Sequence, residues 1–275
     1  EEKRVDTPYG APSDPVLCGR MKGTDTRVLF LPRHGRGHRI PPSAINYRAN
    51  IWAMKLLGAT HLLSVSAVGS MREEIAPGDV VVVDQFIDLT KRRVSTFFDE
   101  HVAAHVSFSD PVCPILAGAL FTAATAASAA HGRGRAHEGG TYVCIEGPAL
   151  STRAESVLYR SWGCDVIGMT AMPEAKLARE AELPYAIVAM VTDYDCWHED
   201  HGHVTVDQVV KIMHANAENA RELVMTVAPK LGPNRVSSPD GTETVLDTAL
   251  ITAPEKRDPE LLAKLDAVAG RVLKK

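Results

Sequence analysis

The stretch "YAIVAMV", residues 185–191, is an unbroken apolar run that includes three β-branched residues. A run of this kind, without alternating polar residues, is typical of a strand that is buried on both faces of a sheet. Five more runs of similar character predict further strands: "RVLFL" (27–31), "HLLSVSAV" (61–68), "DVVVVDQF" (79–86), "TYVCI" (141–145) and "CDVIGM" (164–169). The sequence therefore predicts a sheet that is largely buried.

Helical patterns separate these strands. "TRAESVLYRSWG" (152–163) begins with the Thr152 to Glu155 spacing of a capping box, and "PEAKLAREAEL" places Pro173 in the first turn of another helix. Helices are predicted at 43–58, 117–130, 152–163, 173–183, from Thr205 to about Val227, and, after a turn-rich linker at 231–243, at 259–275. Strands that alternate with helices predict an α/β fold.

The composition limits the classes of partner. The chain has 275 residues, of which 45% are hydrophobic and 23% charged, as in globular proteins with a substantial core. A net charge of -4 gives no overall basic field for nucleic acid or an anionic membrane. We expect a cytoplasmic protein, because no apolar run reaches about 18 residues and no secretory signal is present. The five cysteines are scattered and odd in number, so we interpret them as reduced.

Polar residues gather where predicted strands end. Because the carboxyl ends of parallel strands meet at one edge of a sheet, we expect these residues to share a single pocket. They are Arg33 and His34, residues 66–70, residues 146–151, Met169 and Thr170, and Asp193 and Asp195.

A cation and several small residues indicate a site for an oxyanion. Arg33 can offer a forked set of donors, and His34 a further donor, to an anion such as phosphate. An isolated Arg–His pair is also typical of a solvated basic turn. The small residues of "SAVGS" (66–70) let backbone N–H groups and the Ser66 hydroxyl approach a ligand, although a tight turn has the same composition.

Two carboxylates follow the strand at 185–191. Asp193 and Asp195 alternate, so both can face the same side of the sheet. A carboxyl group that is partly removed from water has a raised pKa and can donate a proton to a leaving group. The alternative is an Asp that caps the following loop. "HEDHGH" (198–203) lacks the regular spacing that aims metal ligands together, so we interpret it as a solvated loop and expect no metal.

Five long segments carry a family resemblance. They are "RHGRGHRIPPSAINYRANIWAMKLLGATH", "GSMREEIAPGDVVVVDQFIDLT", "IEGPALSTRAES", "GCDVIGMTAMPEAKLARE" and "VTDYDCWHE", and they span most of residues 5–227. On these segments the chain resembles the trimeric purine nucleoside phosphorylases and, within them, the S-methyl-5'-thioadenosine phosphorylases. The resemblance implies a single α/β domain with a central mixed β-sheet flanked by helices.

The resemblance also implies a reaction. Phosphate attacks the ribosyl C1' of 5'-methylthioadenosine and releases adenine and 5-methylthioribose 1-phosphate, without a cofactor. The family forms homotrimers with shared active sites. It begins with a strand and a glycine-rich phosphate loop, and the first residue of this chain follows that loop. We therefore expect residues 1–230 to form the phosphorylase domain without it, and residues 231–275 to add a linker and a helix that packs on the same domain.

Site residues follow from the resemblance position by position. Asp193 would protonate or hydrogen-bond N7 of the purine, and Asp195 would assist at the 6-amino group. The phosphate ligands would be Arg33, His34, Ser66, Ala67 and Thr170. The substrate contacts would be Leu150, Ser151, Ile167, Met169, Val206, Val209, Val210 and, from the neighbouring subunit, His105. The three valines also form the apolar stripe of a helix, for which core packing is the default explanation.

Three positions bear on how the purine is bound. Family members for 6-oxopurines carry Asn where Asp193 stands and Glu where Ser151 stands, so the resemblance favours adenine. A Phe that packs on the purine in the family is Leu150 here, which replaces π-stacking by aliphatic contact. The alternatives are a phosphorylase for 5'-methylthioinosine or another purine nucleoside, a hydrolytic nucleosidase, and a non-catalytic purine-binding homologue.

Overall fold

Strands and helices alternate along the chain. The computed structural model describes residues 1–98, 102–131, 134–198, 206–231 and 237–273, except for the side chains at 131, 206–215 and 217. The strands are β1 (Glu2–Lys3), β2 (Val16–Arg20), β3 (Arg27–Phe30), β4 (Leu62–Ser70), β5 (Val80–Val82), β6 (Gln85–Asp88), β7 (Ala136–Glu138), β8 (Thr141–Cys144), β9 (Val166–Gly168) and β10 (Tyr185–Tyr194). The helices are α1 (Tyr47–Leu56), α2 (Pro114–His131), α3 (Arg153–Ser161), α4 (Ala171–Glu180), α5 (Val206–Val227), α6 (Pro259–Lys264) and α7 (Asp266–Leu273). Short 3-10 helices cover Pro42–Ala44, Ala228–Leu231, Thr242–Asp247 and Pro254–Lys256.

A mixed sheet forms the centre of the molecule. Within the described ranges it has seven strands in the order β6-β8-β9-β4-β10-β5-β7. β4 and β10 lie side by side and run parallel from Leu62 and Tyr185 to Ser70 and Tyr194. All residues of β10 before its last two are buried. The prediction of a buried strand at 185–191 is therefore confirmed.

The two faces of β10 enter different parts of the core. Residues on one face pack with α1, α4 and α7, and these are Ile187, Ala189 and Val191. Residues on the other face pack with α2 and α5, and these are Ala186, Val188 and Met190. Because side chains of a strand alternate between faces, this places helices on both sides of the sheet. The predicted fold, a central mixed sheet flanked by helices, is confirmed.

Two predicted strands differ from the structure. The run at 79–86 is not one strand, because β5 pairs with β10 and β7 whereas β6 pairs with β8 near the opposite edge of the sheet. The run at 27–31 does not belong to the central sheet. It forms β3 in a separate sheet with β1 and β2, where Phe30 is 57% exposed. Its apolar residues are therefore only partly buried or exposed, and they do not fill the core of the central sheet.

Local sequence patterns predicted most of the helices, with differences at some of their ends. The capping box of α3 is present, with Thr152 and Glu155 in reciprocal hydrogen bonds. α1 begins later than predicted, because the side chain of Asn46 and not that of Ser43 caps it. The predicted helix at 259–275 is divided into α6 and α7. No helix in the described part of the chain is both long enough and apolar enough to cross a membrane.

The C-terminal segment contacts the same core. The indole N–H of Trp52 in α1 donates to the carbonyl of Lys264 at 3.0 Å. Arg271 in α7 forms an ion pair with Glu182, whose side chain is 2% exposed. Residues of α6 and α7 thus contact α1 and the turn that follows α4.

Candidate active site

The ends of β4, β9 and β10 meet around Gly69. This residue pairs with Ile167 on one side and with Asp193 on the other. A Cβ atom on Gly69 would lie 3.0 Å from Cγ2 of Ile167, 3.1 Å from Oδ1 of Asp193 and 3.4 Å from Cβ of Asp195. Glycine therefore allows an apolar side chain and two acidic residues to approach one point of the sheet edge.

The two carboxylates at this edge are partly removed from water. Burial is the main cause that raises the pKa of Asp193 to about 6, while the Thr192 hydroxyl opposes this shift and the charge of Asp195 adds to it. The Thr192 hydroxyl donates to Oδ2 of Asp193 at 2.6 Å. Asp195 is 6% exposed, and burial raises the pKa of its carboxyl group. Protonated Asp193 is therefore available near neutral pH to act as a general acid.

Two buried hydroxyl groups meet beside β4. Oγ of Ser66 lies 3.1 Å from Oγ1 of Thr170, and the two residues are 6% and 4% exposed. Thr170 occupies the N-cap position of α4, but its side chain makes no capping hydrogen bond. Hydroxyl groups beside a helix N-terminus, whose N–H groups carry partial positive charge, suit an anion. Ala67, the next residue of β4, is exposed.

Arg33 reaches β4 from a loop outside the central sheet. Its guanidinium donates to Oγ of Ser64 at 2.8 Å and to the carbonyl of Val65 at 2.7 Å. It also forms an ion pair with Glu174 at 2.7 Å, in which the two side chains are 14% and 11% exposed. Nε of Arg33 is buried and has no hydrogen-bond partner among the described residues. The guanidinium thus lies next to the strand position that precedes Ser66, and Nε can still donate.

His34 is held by a carbonyl and by a second histidine. Its Nδ1 lies 2.8 Å from the carbonyl oxygen of Ile40, and its ring stacks on His38 with 4.1 Å between the centroids. Burial lowers the pKa of His34. Because a carbonyl only accepts, the neutral ring carries its proton on Nδ1. Nε2 of that ring can accept a hydrogen bond from a protonated phosphate oxygen.

The loop between β8 and α3 carries Leu150 and Ser151. Leu150 is 60% exposed. Oγ of Ser151 is buried and has no hydrogen-bond partner within the described ranges, whereas its carbonyl accepts from Sγ of Cys196 at 3.3 Å. Gly147 in the same loop has a φ of 65° and packs so closely on Met169 that a Cβ atom would collide with Sδ. The loop therefore contacts both Met169 and the residue after Asp195.

Arg93 holds this loop in place, although the sequence did not predict a role for it. Its side chain is 2% exposed and lies 3.6 Å from the Glu146 carboxylate. It donates to the carbonyls of Met169, Met172 and Glu146 at 2.6, 2.6 and 2.7 Å. Arg93 thus joins Met169 to the loop after β8. It stands in "KRR" (91–93), which is typical of a polar surface loop, so no local signal indicates its burial.

Several predicted residues lie outside these contacts. Val206, Val209 and Val210 belong to α5, but their side chains are outside the described residues, as is most of "HEDHGH". His105 is exposed, and its backbone N–H donates to the carbonyl of Ala249 at 2.9 Å. Within the described ranges, no group of three or more His, Cys, Asp or Glu residues could hold a metal ion.

Comparisons with known proteins agree with one another. The family model described as the Phosphorylase superfamily matches residues 1–229. S-methyl-5'-thioadenosine phosphorylases of Cereibacter sphaeroides and Bradyrhizobium diazoefficiens are 57% and 54% identical to the chain, over 98% and 99% of its length and 91% of theirs. The crystal structure of a methylthioadenosine phosphorylase from an antarctic soil metagenomic library has a TM-score of 0.91 at 46% identity, and covers 98% of this chain and 91% of that one. The methylthioadenosine phosphorylase from Schistosoma mansoni in complex with adenine has a TM-score of 0.84 at 35% identity, with 90% and 91% covered.

Proposed function

This chain belongs to the phosphorylase superfamily, and from that premise we propose that it catalyses the phosphorolysis of S-methyl-5'-thioadenosine to adenine and 5-methylthioribose 1-phosphate. The observation that carries the proposal is the pair of partly desolvated carboxylates, Asp193 and Asp195, at the end of β10, which lies next to the strand that bears the buried Ser66. The carboxylates suit a leaving base that needs a proton. The buried hydroxyl groups of Ser66 and Thr170 suit the attacking phosphate anion.

In the proposed reaction the C1'–N9 bond breaks while an oxygen of phosphate forms a bond to C1'. The ribosyl group gains positive charge in the transition state, and the purine gains negative charge. Asp193 donates a proton or a hydrogen bond to N7, which its raised pKa favours. Phosphate lies on the other face of the ribosyl group, where its charge stabilises the developing cation. Phosphate is the co-substrate, and the proposal includes no cofactor or metal.

We assign phosphate to the segment of β4 around Ser66 and Ala67. The buried hydroxyl pair of Ser66 and Thr170 supports this assignment, because hydroxyl groups can donate to phosphate oxygens. Arg33 supplies a cation there and the donor Nε, for which the described residues offer no acceptor. His34 would accept from a protonated phosphate oxygen through Nε2. A cation and neutral donors together are the usual composition of a phosphate site.

We assign the purine to the side that carries Leu150, Ser151 and the two aspartates. The 6-amino group of adenine donates hydrogen bonds, and the carboxylate of Asp195 can accept one. Oγ of Ser151 lacks a partner among the described residues, so it can donate a hydrogen bond to the base. Ile167 and Met169 provide apolar contact for the ribosyl group. The valines of α5 are proposed for the 5'-methylthio group on the resemblance alone.

Incubation of the chain with S-methyl-5'-thioadenosine tests the proposed function. We expect adenine release that requires phosphate, and turnover of the corresponding hypoxanthine nucleoside at least about tenfold slower. Adenine release without phosphate would assign the chain to the hydrolytic nucleosidases. A preference for the hypoxanthine nucleoside would assign it to the 6-oxopurine enzymes. Adenine release at background, with substrate binding retained in calorimetry, would leave a purine-binding homologue.

We also propose a homotrimer in which His105 completes the site of a neighbouring subunit. The exposure of His105 and of Leu150 in the single chain supports this arrangement. We expect the mass of three chains in sedimentation equilibrium, and His105→Ala should raise KM for the nucleoside about 3–10-fold because one contact is lost. Ser107→Ala, at an exposed neighbouring position, should keep the wild-type KM. A monomer whose KM does not respond to His105→Ala would contradict the proposal.

A further inference from the structure

The turn that follows β10 is fastened to the end of β4. We call residues 195–198 the aspartate turn. The N–H of Asp195 donates to the carbonyl of Ser70 at 3.2 Å, and the indole N–H of Trp197 donates to the same carbonyl at 2.7 Å. The N–H of His198 closes the turn on the carbonyl of Asp195 at 3.3 Å. Ser70 is 0% exposed, so these donors are hydrogen-bonded to an acceptor that solvent does not reach.

Trp197 is held in turn by α3. The guanidinium carbon of Arg160 lies 3.4 Å from the centroid of the Trp197 ring. A cation over an indole face is the strongest form of cation–π contact in proteins. The ring also packs against a small apolar cluster that consists of Met71, Val143, Tyr159, Cys164 and Ile167. Trp197 therefore has one fixed orientation, in which its N–H points at the Ser70 carbonyl.

α3 is joined to the aspartate turn at both of its ends. Arg160 makes the contact at the C-terminal end. At the N-terminal end, Sγ of Cys196 donates to the carbonyl of Ser151 at 3.3 Å. Between these points lies Ser156, which is 0% exposed, and its hydroxyl group opposes the rise that burial causes in the pKa of Asp195. Ser151 precedes α3 and Asp195 follows β10, and these contacts fix the positions of the two residues relative to each other.

We propose that Trp197 and Arg160 are positioning residues for the purine side of the site. Trp197 acts through its hydrogen bond to the Ser70 carbonyl and Arg160 acts through α3, and together they fix the position of Asp195 relative to Ser151. The proposal rests on the proposed function, because it concerns the groups that would contact the base. Neither side chain needs to touch the substrate. Their loss should therefore affect the departure of the base more than the binding of phosphate.

Trp197→Phe is the variant that tests this role, because it keeps an aromatic ring and removes the indole N–H. The smaller ring of Phe is a change that the control variant Trp52→Phe shares. We expect kcat on S-methyl-5'-thioadenosine to fall about tenfold, the effect of one lost hydrogen bond to a buried carbonyl, while KM for phosphate changes less than about twofold. Hydrogen exchange of the Asp195 amide should become at least about tenfold faster. Arg160→Met should lower kcat less, and Arg160→Lys should recover part of the loss because Lys keeps a cation over the ring.

Trp52→Phe is the matched control. Its indole N–H also donates to a backbone carbonyl, that of Lys264 at 3.0 Å, so the variant should keep the wild-type kcat and the slow exchange at Asp195. The proposal is overturned if Trp197→Phe changes neither kcat nor exchange, or if Trp52→Phe lowers kcat equally. If the wild-type chain releases no adenine, the proposed function fails, and exchange at Asp195 still decides the positioning role.

Discussion

Asp193→Asn is expected to lower kcat on S-methyl-5'-thioadenosine by at least about 100-fold, the usual scale for a lost general acid. Asparagine has nearly the same shape and can still accept the hydrogen bond from the Thr192 hydroxyl, which is 2.6 Å long. It cannot supply an acidic proton to N7 of the leaving base. KM for phosphate should stay near its wild-type value, because the groups assigned to phosphate belong to other elements.

The pH dependence gives a second measurement on Asp193. Burial raises the pKa of its carboxyl group to about 6, so the fraction of protonated acid declines as the pH rises through this value. We therefore expect kcat/KM of the wild-type chain to decline on the alkaline side of this pKa. The residual activity of Asp193→Asn should lack that decline, because the variant has no group that titrates at this position.

Asp193→Asn should raise the thermal stability of the chain although it lowers kcat. A carboxyl group whose pKa is higher in the folded than in the unfolded chain stabilises the fold at low pH, and this contribution is lost as the pH rises through the folded pKa. Asparagine avoids the loss, so Asp193→Asn should unfold at a higher temperature than the wild type above about pH 6. Asp25→Asn is the control for charge, since Asp25 is 87% exposed.

A kcat of Asp193→Asn within about threefold of the wild-type value would remove Asp193 from the mechanism.

Features that depend on neighbouring residues were predictable from the sequence. The unbroken apolar run at 185–191 predicted the central strand, because such a run, rich in β-branched residues, is typical of a strand covered on both faces. The spacing from Thr152 to Glu155 predicted the start of α3, because a capping box is closed within one helical turn. Both predictions needed no knowledge of the rest of the chain.

Features that depend on distant partners were not predictable. The run at 79–86 is divided because β5 and β6 pair with different strands, and nothing within the run indicates those partners. The partner of Arg33 is Glu174, 141 residues away. Arg93 is buried because it hydrogen-bonds carbonyls of Met169 and Glu146, which lie in other segments. A cationic side chain in a polar segment is buried only where the fold brings distant acceptors around it, so the segment alone does not predict its burial.

Arg33→Met is expected to affect both phosphate binding and stability. The variant leaves the carboxylate of Glu174, 11% exposed, without its cation, which should lower the free energy of unfolding by about 3–5 kcal/mol. It also removes the Nε donor that we assign to phosphate. KM for phosphate should rise at least about tenfold, the scale of a hydrogen bond between charged groups. Arg271→Met is the control, because it breaks the ion pair with Glu182 and should lower stability without a change in this KM.

The double variant Arg33→Met with Glu174→Gln separates the two effects on Arg33. Glutamine carries no charge and can still accept the hydrogen bond from the Tyr185 hydroxyl, which is 3.1 Å long. Urea unfolding should therefore show that most of the lost stability returns, whereas KM for phosphate should stay raised because no guanidinium is present. If KM returns together with stability, Arg33 serves only to pair with Glu174. Phosphate would then depend on Ser66 and Thr170, whose hydroxyl oxygens lie 3.1 Å from each other.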